Sequence, residues 1–333
     1  MQGQAYVSVP KKFAFPVGAR RAVPLHAHSP TFFGLANMSD NTILIHQLLT
    51  AATATLAQAG VEDSHLEAEL LLRHCLDVSR SKLFLLHDQP VVEATERYFG
   101  ELLRRRCQRE PLQYIMGSCE FWSLEFFVSP AVLIPRPETE FLLDHCFSTL
   151  QQNAQNASRQ PQRVLDLCTG SGIIATILAK EFPRSKVIAT DFSQEALGMA
   201  RKNISHHNLN ERVHLLRADL LTAFSRTPIF DLIVTNPPYV KAGDIPTLEP
   251  EVRDWEPHLA LSGGNSGLNC VARICEDAKS LLQPGGWLFM EIGSDIGQEV
   301  EQVFLEAGGY EQVKVVPDWA GQPRVLQARR MAG

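Results

Sequence analysis

A chain of 333 residues, 45% of them hydrophobic, is long enough for about two domains with packed cores. A net charge of −6 argues against duplex DNA as the principal partner, because phosphate contacts dominate such binding and demand basic surface. The seven cysteines are scattered, odd in number and free of any Cys-x-x-Cys pair, and the histidines show no metal-ligand spacing, so neither a disulfide framework nor a metal site is expected.

Residues 1–38 hold Lys11, Lys12, Arg20 and Arg21 but no acid, many prolines and no periodicity. They read as a disordered extension ahead of Met38 rather than as a targeting peptide. Residues 39–110 follow a helical pattern. Leu48, Leu49, Ala52 and Leu56 recur at helix spacing, and Gly60 is placed to stop that helix. Ser64-x-x-Glu67 reads as a capping box before Leu66, Leu70, Leu71 and Leu72. A further helix spans Val92 to Cys107, with Arg104-Arg105-Arg106 read as a solvated face. Residues 111–136 form a linker containing a hairpin at about 112–129. From 137 a third region begins, with a helix to 150 that starts on Pro137 and a polar surface connection from Gln151 to Gln162. No stretch is long and apolar enough to span a membrane.

Val164-Leu165-Asp166-Leu167 is an apolar strand that enters the turn Cys168-Thr169-Gly170-Ser171-Gly172. A helical pattern follows through Ile173, Ile174, Ile177, Leu178 and Phe182. Glycines let the backbone approach a ligand, and a helix N-terminus offers unpaired N–H groups. The next strand, 186–191, ends in Asp191 about twenty residues after the glycines, where an acid can bind a ribose diol. To this point a nicotinamide cofactor and S-adenosylmethionine are both open. The strand 213–217 ends in Ala218-Asp219, a second carboxylate suited to an adenine amino group. His206-His207, between these two strands, reads as part of a polar loop.

The strand 230–235 closes on Asn236-Pro237-Pro238-Tyr239. A planar nitrogen is a poor nucleophile because its lone pair is delocalised, and a site that accepts from both of its N–H groups can hold it in a better geometry. The Asn236 side-chain oxygen is one acceptor and the Pro237 carbonyl the other, since neither Pro237 nor Pro238 has an N–H to donate. Tyr239 offers a flat face for stacking. Hydride transfer has no use for this tetrapeptide there; methyl transfer to nitrogen does. Beyond it come a helix from Gly267 to Leu282 ended by Pro284-Gly285-Gly286, a strand 287–292, a helix through Val300 and Phe304, and an antiparallel pair at 311–317 and 324–329. The fold class is therefore α/β, a mostly parallel doubly wound sheet with its switch point beside the strand ending at Asp166, preceded by a small helical domain.

The strand order, the glycine turn and the tetrapeptide resemble a Rossmann-like, seven-stranded class I methyltransferase. Arg109-Glu110-Pro111-Leu112-Gln113-Tyr114-Ile115-Met116-Gly117, then Glu120-Phe121-Trp122-Ser123 and Phe127-Val128-Ser129-Pro130, are similar to the release factor glutamine methyltransferases, the PrmC or HemK family. Leu133-Ile134-Pro135-Arg136-Pro137-Glu138-Thr139-Glu140 is the most discriminating segment, since the related ribosomal-protein glutamine methyltransferases typically read Pro-Arg-Ser-Pro there. Glu256-Pro257-His258-Leu259-Ala260-Leu261 and Gly263-Gly264-Asn265-Ser266-Gly267-Leu268 also match. The resemblance runs over residues 41–330.

That resemblance implies S-adenosylmethionine as cofactor and a cytoplasmic, monomeric enzyme. Its substrate is then the Gly-Gly-Gln glutamine of class-1 peptide-chain release factors, methylated on N5, with no DNA and no membrane as partner. Thr169 to Gly172 enclose the cofactor, Asp191 holds its ribose, and Asp219 with Leu220 lies near the adenine. Asn236 and Pro237 hold the carboxamide nitrogen, Asn236 also lies near the methionine end, and Tyr239 with Phe121 forms the walls. Two positions depart from the family. Cys168 stands where glycine is usual and is strained if φ is positive. Leu220 replaces an aromatic, and the roughly 0.5–1.5 kcal/mol of stacking goes with it. The rival enzyme is an adenine-N6 DNA methyltransferase, which uses Asn-Pro-Pro-aromatic on a flipped base; a non-enzymatic cofactor-binding module would not be expected to keep the tetrapeptide intact.

Overall fold

The computed structural model describes residues 43–154 and 160–332. The expected extension over 1–38 and part of the connection 151–162 lie outside the described residues. No helix among the described residues is long and apolar enough to cross a membrane.

The first half of the fold is helical: α1 (Ile45–Gln58), α2 (Ser64–Leu76), α3 (Arg80–Leu85), α4 (Glu93–Cys107) and α5 (Leu112–Met116). Their apolar stripes meet in one cluster that includes Leu56, Leu71, Leu72, Phe99 and Leu103. Gly60 ends α1 as expected, at φ 78°, and the Val61 N–H closes back on the Leu56 carbonyl. The capping box at Ser64 does not form. Asp63 is the N-cap without a side-chain bond, and Glu67 is drawn instead to the Arg106 guanidinium on α4. The arginine run is likewise not a solvated face. Arg104 is exposed, Arg105 pairs with Glu110, and Arg106 is only 4% exposed between Glu67 and Glu251. A buried cation needs such partners, and two carboxylates from distant segments supply them.

The hairpin is shorter than expected. Residues 112–116 are α5, with Leu112 and Ile115 in the helical core, so only β1 (Ser118–Phe121) and β2 (Leu124–Phe127) pair. Trp122 and Ser123 turn the chain with φ of 55° and 57°, the left-handed pair that matches hairpin twist. His206-His207 is not a polar loop: His206 ends α8 (Gln194–His206), and the His207 ring packs on Phe126 and bonds the Glu125 carbonyl, holding the hairpin down.

The second half alternates. α6 (Pro137–Ala154) leads to β3 (Arg163–Leu167), α7 (Ile173–Glu181), β4 (Lys186–Asp191), α8, β5 (Val213–Arg217) and β6 (Phe230–Thr235). A loop carrying the short α9 (Pro250–Trp255) and α10 (His258–Leu261) leads to α11 (Asn269–Leu281) and β7 (Leu282–Glu291). The chain finishes with α12 (Gly297–Ala307), β8 (Tyr310–Pro317) and β9 (Pro323–Arg330). The seven strands lie in the order β5-β4-β3-β6-β7-β9-β8, parallel except where β9 joins β7 and β8. The period-two alternation of buried strands divides the core. Val164, Leu232, Val234 and Phe289 face α6, α7 and α8, whereas Leu165, Ile233, Leu288 and Met290 face α11 and α12. β7 starts earlier than the sequence suggested. Pro284-Gly285-Gly286 does not end the preceding helix, which stops at Leu281, but lies within β7 in a register shift between the pairs at Leu282 and Trp287.

Candidate functional site

β3 sits at the point where the strand order reverses, with β4 and β5 to one side and β6 to the other. The carboxyl ends of these strands open on a cavity of about 410 Å³. Strand ends and helix starts converge there, the usual place for a ligand in such a sheet.

Asp166, at 0% exposure, anchors the glycine turn from below. Its Oδ2 accepts the Thr169 hydroxyl at 2.5 Å and the Ala175 N–H at 2.8 Å, while Oδ1 has no hydrogen-bond partner. Burial pushes its pKa up to about 7, against the pull of those two donors. Cys168 does take a positive φ, 61°, so the expected strain is present, and its thiol is half-buried in the cavity wall. Thr169, Gly170 and Ser171 also line the wall; a side chain added at Gly170 would meet nothing within 4 Å, which leaves its backbone bare toward a ligand. Gly172 stands behind them as the N-cap of α7, against Ala200, and does not line the cavity.

Asp191 ends β4 with each carboxylate oxygen already accepting one backbone N–H, Gly170 at 2.9 Å and Ser193 at 2.9 Å. A carboxylate has about four lone-pair directions, so one on each oxygen remains for a vicinal diol. Burial raises its pKa, and the backbone donors oppose the rise. Asp219 lines the cavity with a half-exposed side chain, held at 2.8 Å by Arg273. Leu220, in the left-handed region at φ 48°, lines the cavity beside it with an aliphatic surface.

At the end of β6 the Asn236 Nδ2 donates to the Thr139 hydroxyl at 3.3 Å, and that hydroxyl donates to Glu291 at 2.7 Å. Asn236 and Pro238 line the cavity; Pro237 is buried and does not. Two expected wall residues are elsewhere. Tyr239 is not in the lining; its hydroxyl donates to Glu291 at 3.2 Å, and its ring packs in the core beneath β7. A buried carboxylate draws the phenol inward, away from this cavity. Phe121 is 3% exposed and packs edge-on against Phe126, inside the core shared with α6 and α7, because it faces inward from the hairpin.

The walls come from the signature segments. Glu256, 3% exposed, receives the Arg136 guanidinium and the Ile134 N–H at 3.3 Å, locking the segment around Pro135 onto the one that contributes Pro257, Leu259 and Ala260. Gly267 lies so close to the Tyr239 carbonyl that an added Cβ would stand 2.5 Å from it, and the Val240 N–H bonds the Leu261 carbonyl at 2.9 Å. Asn203, fully buried, bonds both the Phe127 backbone and the Ser171 carbonyl at 2.8 Å, so hairpin, α8 and glycine turn form one support.

Thr139, Glu291, Arg273 and Asn203 were not found from the sequence. Glu291 carried a signal, an acid closing an apolar strand. Asn203 sits mid-helix with no such mark. Away from the cavity, half-buried His46 and exposed His87 and Asp88 bring ligand-type atoms within 4.8 Å, a grouping hidden by sequence separation.

Residues 47–117 match the family model described as PrmC N-terminal domain, and 139–248 match the methyltransferase small domain. A release factor glutamine methyltransferase of Koribacter versatilis is 40% identical over 286 residues, 86% of this chain and 98% of its own length. The one from Moorella thermoacetica is 39% identical over 286 residues, 86% and 98% of the two chains. The solved structure of the hMettl16 catalytic domain in complex with MAT2A 3'UTR hairpin 6 has a TM-score of 0.50 at 16% identity, covering 70% of this chain and 82% of that one, a likeness of fold alone.

Proposed function

The chain belongs to the release factor glutamine methyltransferase family and is an S-adenosylmethionine-dependent methyltransferase, and from this we propose that it methylates N5 of the glutamine in the Gly-Gly-Gln loop of class-1 release factors. The supporting observation is Asn236 at the cavity edge, with its amide N–H taken by Thr139 and its oxygen left to accept. Asn236 through its side chain is one acceptor for a primary amide, and the Pro237 carbonyl is proposed as the second although that residue lies behind the cavity lining. They orient the nitrogen and restrict its rotation, the form of catalysis that an already activated methyl donor leaves to the protein.

The residues present fit the cofactor. Asp191 retains two acceptor positions for a diol, Gly170 leaves backbone open, and Leu220 offers an apolar cover. When bound, S-adenosylmethionine would supply an activated sulfonium methyl group whose C–S bond breaks to leave a neutral thioether, and the proton lost by the methylated nitrogen would go to solvent. Thr169, Gly170, Ser171, Asp191 and Asp219 with Leu220 are the proposed cofactor contacts; Gly172 acts by capping α7, and Cys168 by shaping the wall.

Residues 39–110 are proposed as a substrate-recognition domain, 111–136 as its link and 137–333 as the catalytic domain, acting as a monomer in the cytoplasm on release factors and not on DNA. The acidic net charge supports the last point. Asn236→Ala tests the reading: the single-turnover rate is expected to fall by about 10²- to 10³-fold, with a much smaller change in cofactor affinity. Asn236→Asp keeps shape and acceptor and is expected to bind cofactor yet stay slow, because its charge stabilises the cationic ground state more than the charge-dispersed transition state. A parent-like rate in either variant would make the tetrapeptide structural.

A further inference from the structure

We infer that Thr139 and Glu291 are positioning residues that decide which end of the Asn236 carboxamide faces the substrate. This rests on the reading of Asn236 as an acceptor for the target nitrogen. The two ends of an asparagine amide have nearly the same shape, and a half-turn about χ2 exchanges them. A site that must accept an N–H therefore needs something to fix the sense of the amide. Space alone cannot do so, but hydrogen-bond polarity can.

Polarity starts at Glu291, the last residue of β7, with 0% exposure. In its ionised form Glu291 only accepts, so the hydroxyls of Thr139, at 2.7 Å, and Tyr239, at 3.2 Å, both donate to it. Burial raises the Glu291 pKa, and these two donors with the Arg324 charge oppose the rise and favour that form. With its one proton committed, the Thr139 oxygen can only accept. The group it accepts from is the Asn236 Nδ2, at 3.3 Å. Oδ1 is then the end left for the substrate. An acid in one strand thus sets a donor direction in the first turn of α6 and an acceptor direction at the end of β6. The same relay explains the turned-in Tyr239: its phenol supplies the second donor that keeps the buried acid paired.

A flipped Asn236 would present N–H groups to the N–H groups of the target amide, an arrangement that binds poorly and does not react. Removing the relay should therefore slow methyl transfer without loosening the cofactor. The test uses the full chain, a class-1 release factor and S-adenosylmethionine, with single-turnover rates and calorimetric cofactor dissociation constants for Thr139→Val, Thr139→Ser, Asn236→Ala and the double variant Thr139→Val/Asn236→Ala. Thr139→Val should slow transfer by about 10- to 100-fold while cofactor affinity stays within about threefold. Thr139→Ser, which keeps the hydroxyl, should recover to within about threefold of the parent. On the Asn236→Ala background Thr139→Val should cost less than about twofold more, because coupled residues are not additive. Should Thr139→Val fail to fold, Glu291→Leu answers instead. It removes the acceptor and frees the Thr139 hydroxyl proton, so it should be slowed at least about tenfold. Parent-like transfer in Thr139→Val or Glu291→Leu, or a Thr139→Val loss that carries over in full to Asn236→Ala, would overturn the relay. A parent-like Asn236→Ala would overturn the underlying reading of the site as well.

Discussion

Asp191 offers the most direct probe of how the cavity holds its cofactor. Its carboxylate makes two bonds to the protein, Gly170 N–H and Ser193 N–H, each at 2.9 Å, and keeps one acceptor position per oxygen for the ribose. Asp191→Ala removes the ribose contacts and also releases Gly170, whose backbone lines the cavity. A hydrogen bond to a charged group contributes roughly 1.5–3 kcal/mol, so losing one such contact in net terms weakens binding about 10- to 100-fold. Asp191→Asn is the sharper variant. It keeps the shape, but its Nδ2 must face a backbone N–H on one side or the other, donor against donor. The conservative change is therefore expected to cost nearly as much as alanine. Calorimetric titration with S-adenosylmethionine measures both, and a ligand-free melting curve for each variant separates a local loss from unfolding. Unchanged affinity in both variants would remove Asp191 from the cofactor site and refute the reasoning.

Three further outcomes follow from the packing. Arg106→Met should destabilise the protein by about 3–5 kcal/mol, since it strands Glu67 in a largely buried site and leaves Glu251 to Arg109 alone, and a denaturant midpoint equal to the parent's would contradict this. Asp166 has its pKa raised from 3.8 to about 7, so the stability it contributes is fully present below the lower value and is lost as pH rises through the upper one. Ligand-free Asp166→Asn should therefore gain on the parent in melting temperature between about pH 4 and about pH 8, and a constant difference across that window would contradict the burial argument. Ser123→Gly should stabilise by about 1 kcal/mol, because an exposed serine at φ 57° gives up a left-handed strain that glycine does not carry; a lower melting temperature would speak against it.

The sheet was legible because its strands are apolar, short and bounded by acids or glycines, and because β3, β4, β5 and β6 each end within two residues of a side chain with evident chemistry, Asp166, Asp191, Asp219 and Asn236. The glycine turn was legible for the same reason. What could not be read were pairings across long separations. Glu67 stands three residues after Ser64, as a capping box requires, yet a buried guanidinium thirty-nine residues away is the stronger partner. The Arg104-Arg105-Arg106 run has the composition of a solvated face, but Arg106 turns inward toward Glu251, far along the chain. Phe121 and Tyr239 show the limit of motif reading at the site. Both lie in segments that shape the cavity, and neither faces it: Phe121 is drawn into the apolar core, and Tyr239 into a bond with a carboxylate at the end of β7. α8 was missed altogether, although Ser193 caps it by accepting the Ala196 N–H at 3.1 Å, a signal present in the sequence.

The central claim is that Asn236 presents a release-factor glutamine to a methyl donor. Incubation of the full chain with isotopically labelled S-adenosylmethionine, a class-1 release factor and DNA, followed by mass spectrometry of both, tests it in one step. The label should appear as a single methyl group on the side-chain nitrogen of the Gly-Gly-Gln glutamine, with DNA unmodified. Labelled N6-methyladenine in the DNA, with none in the release factor, would contradict the account.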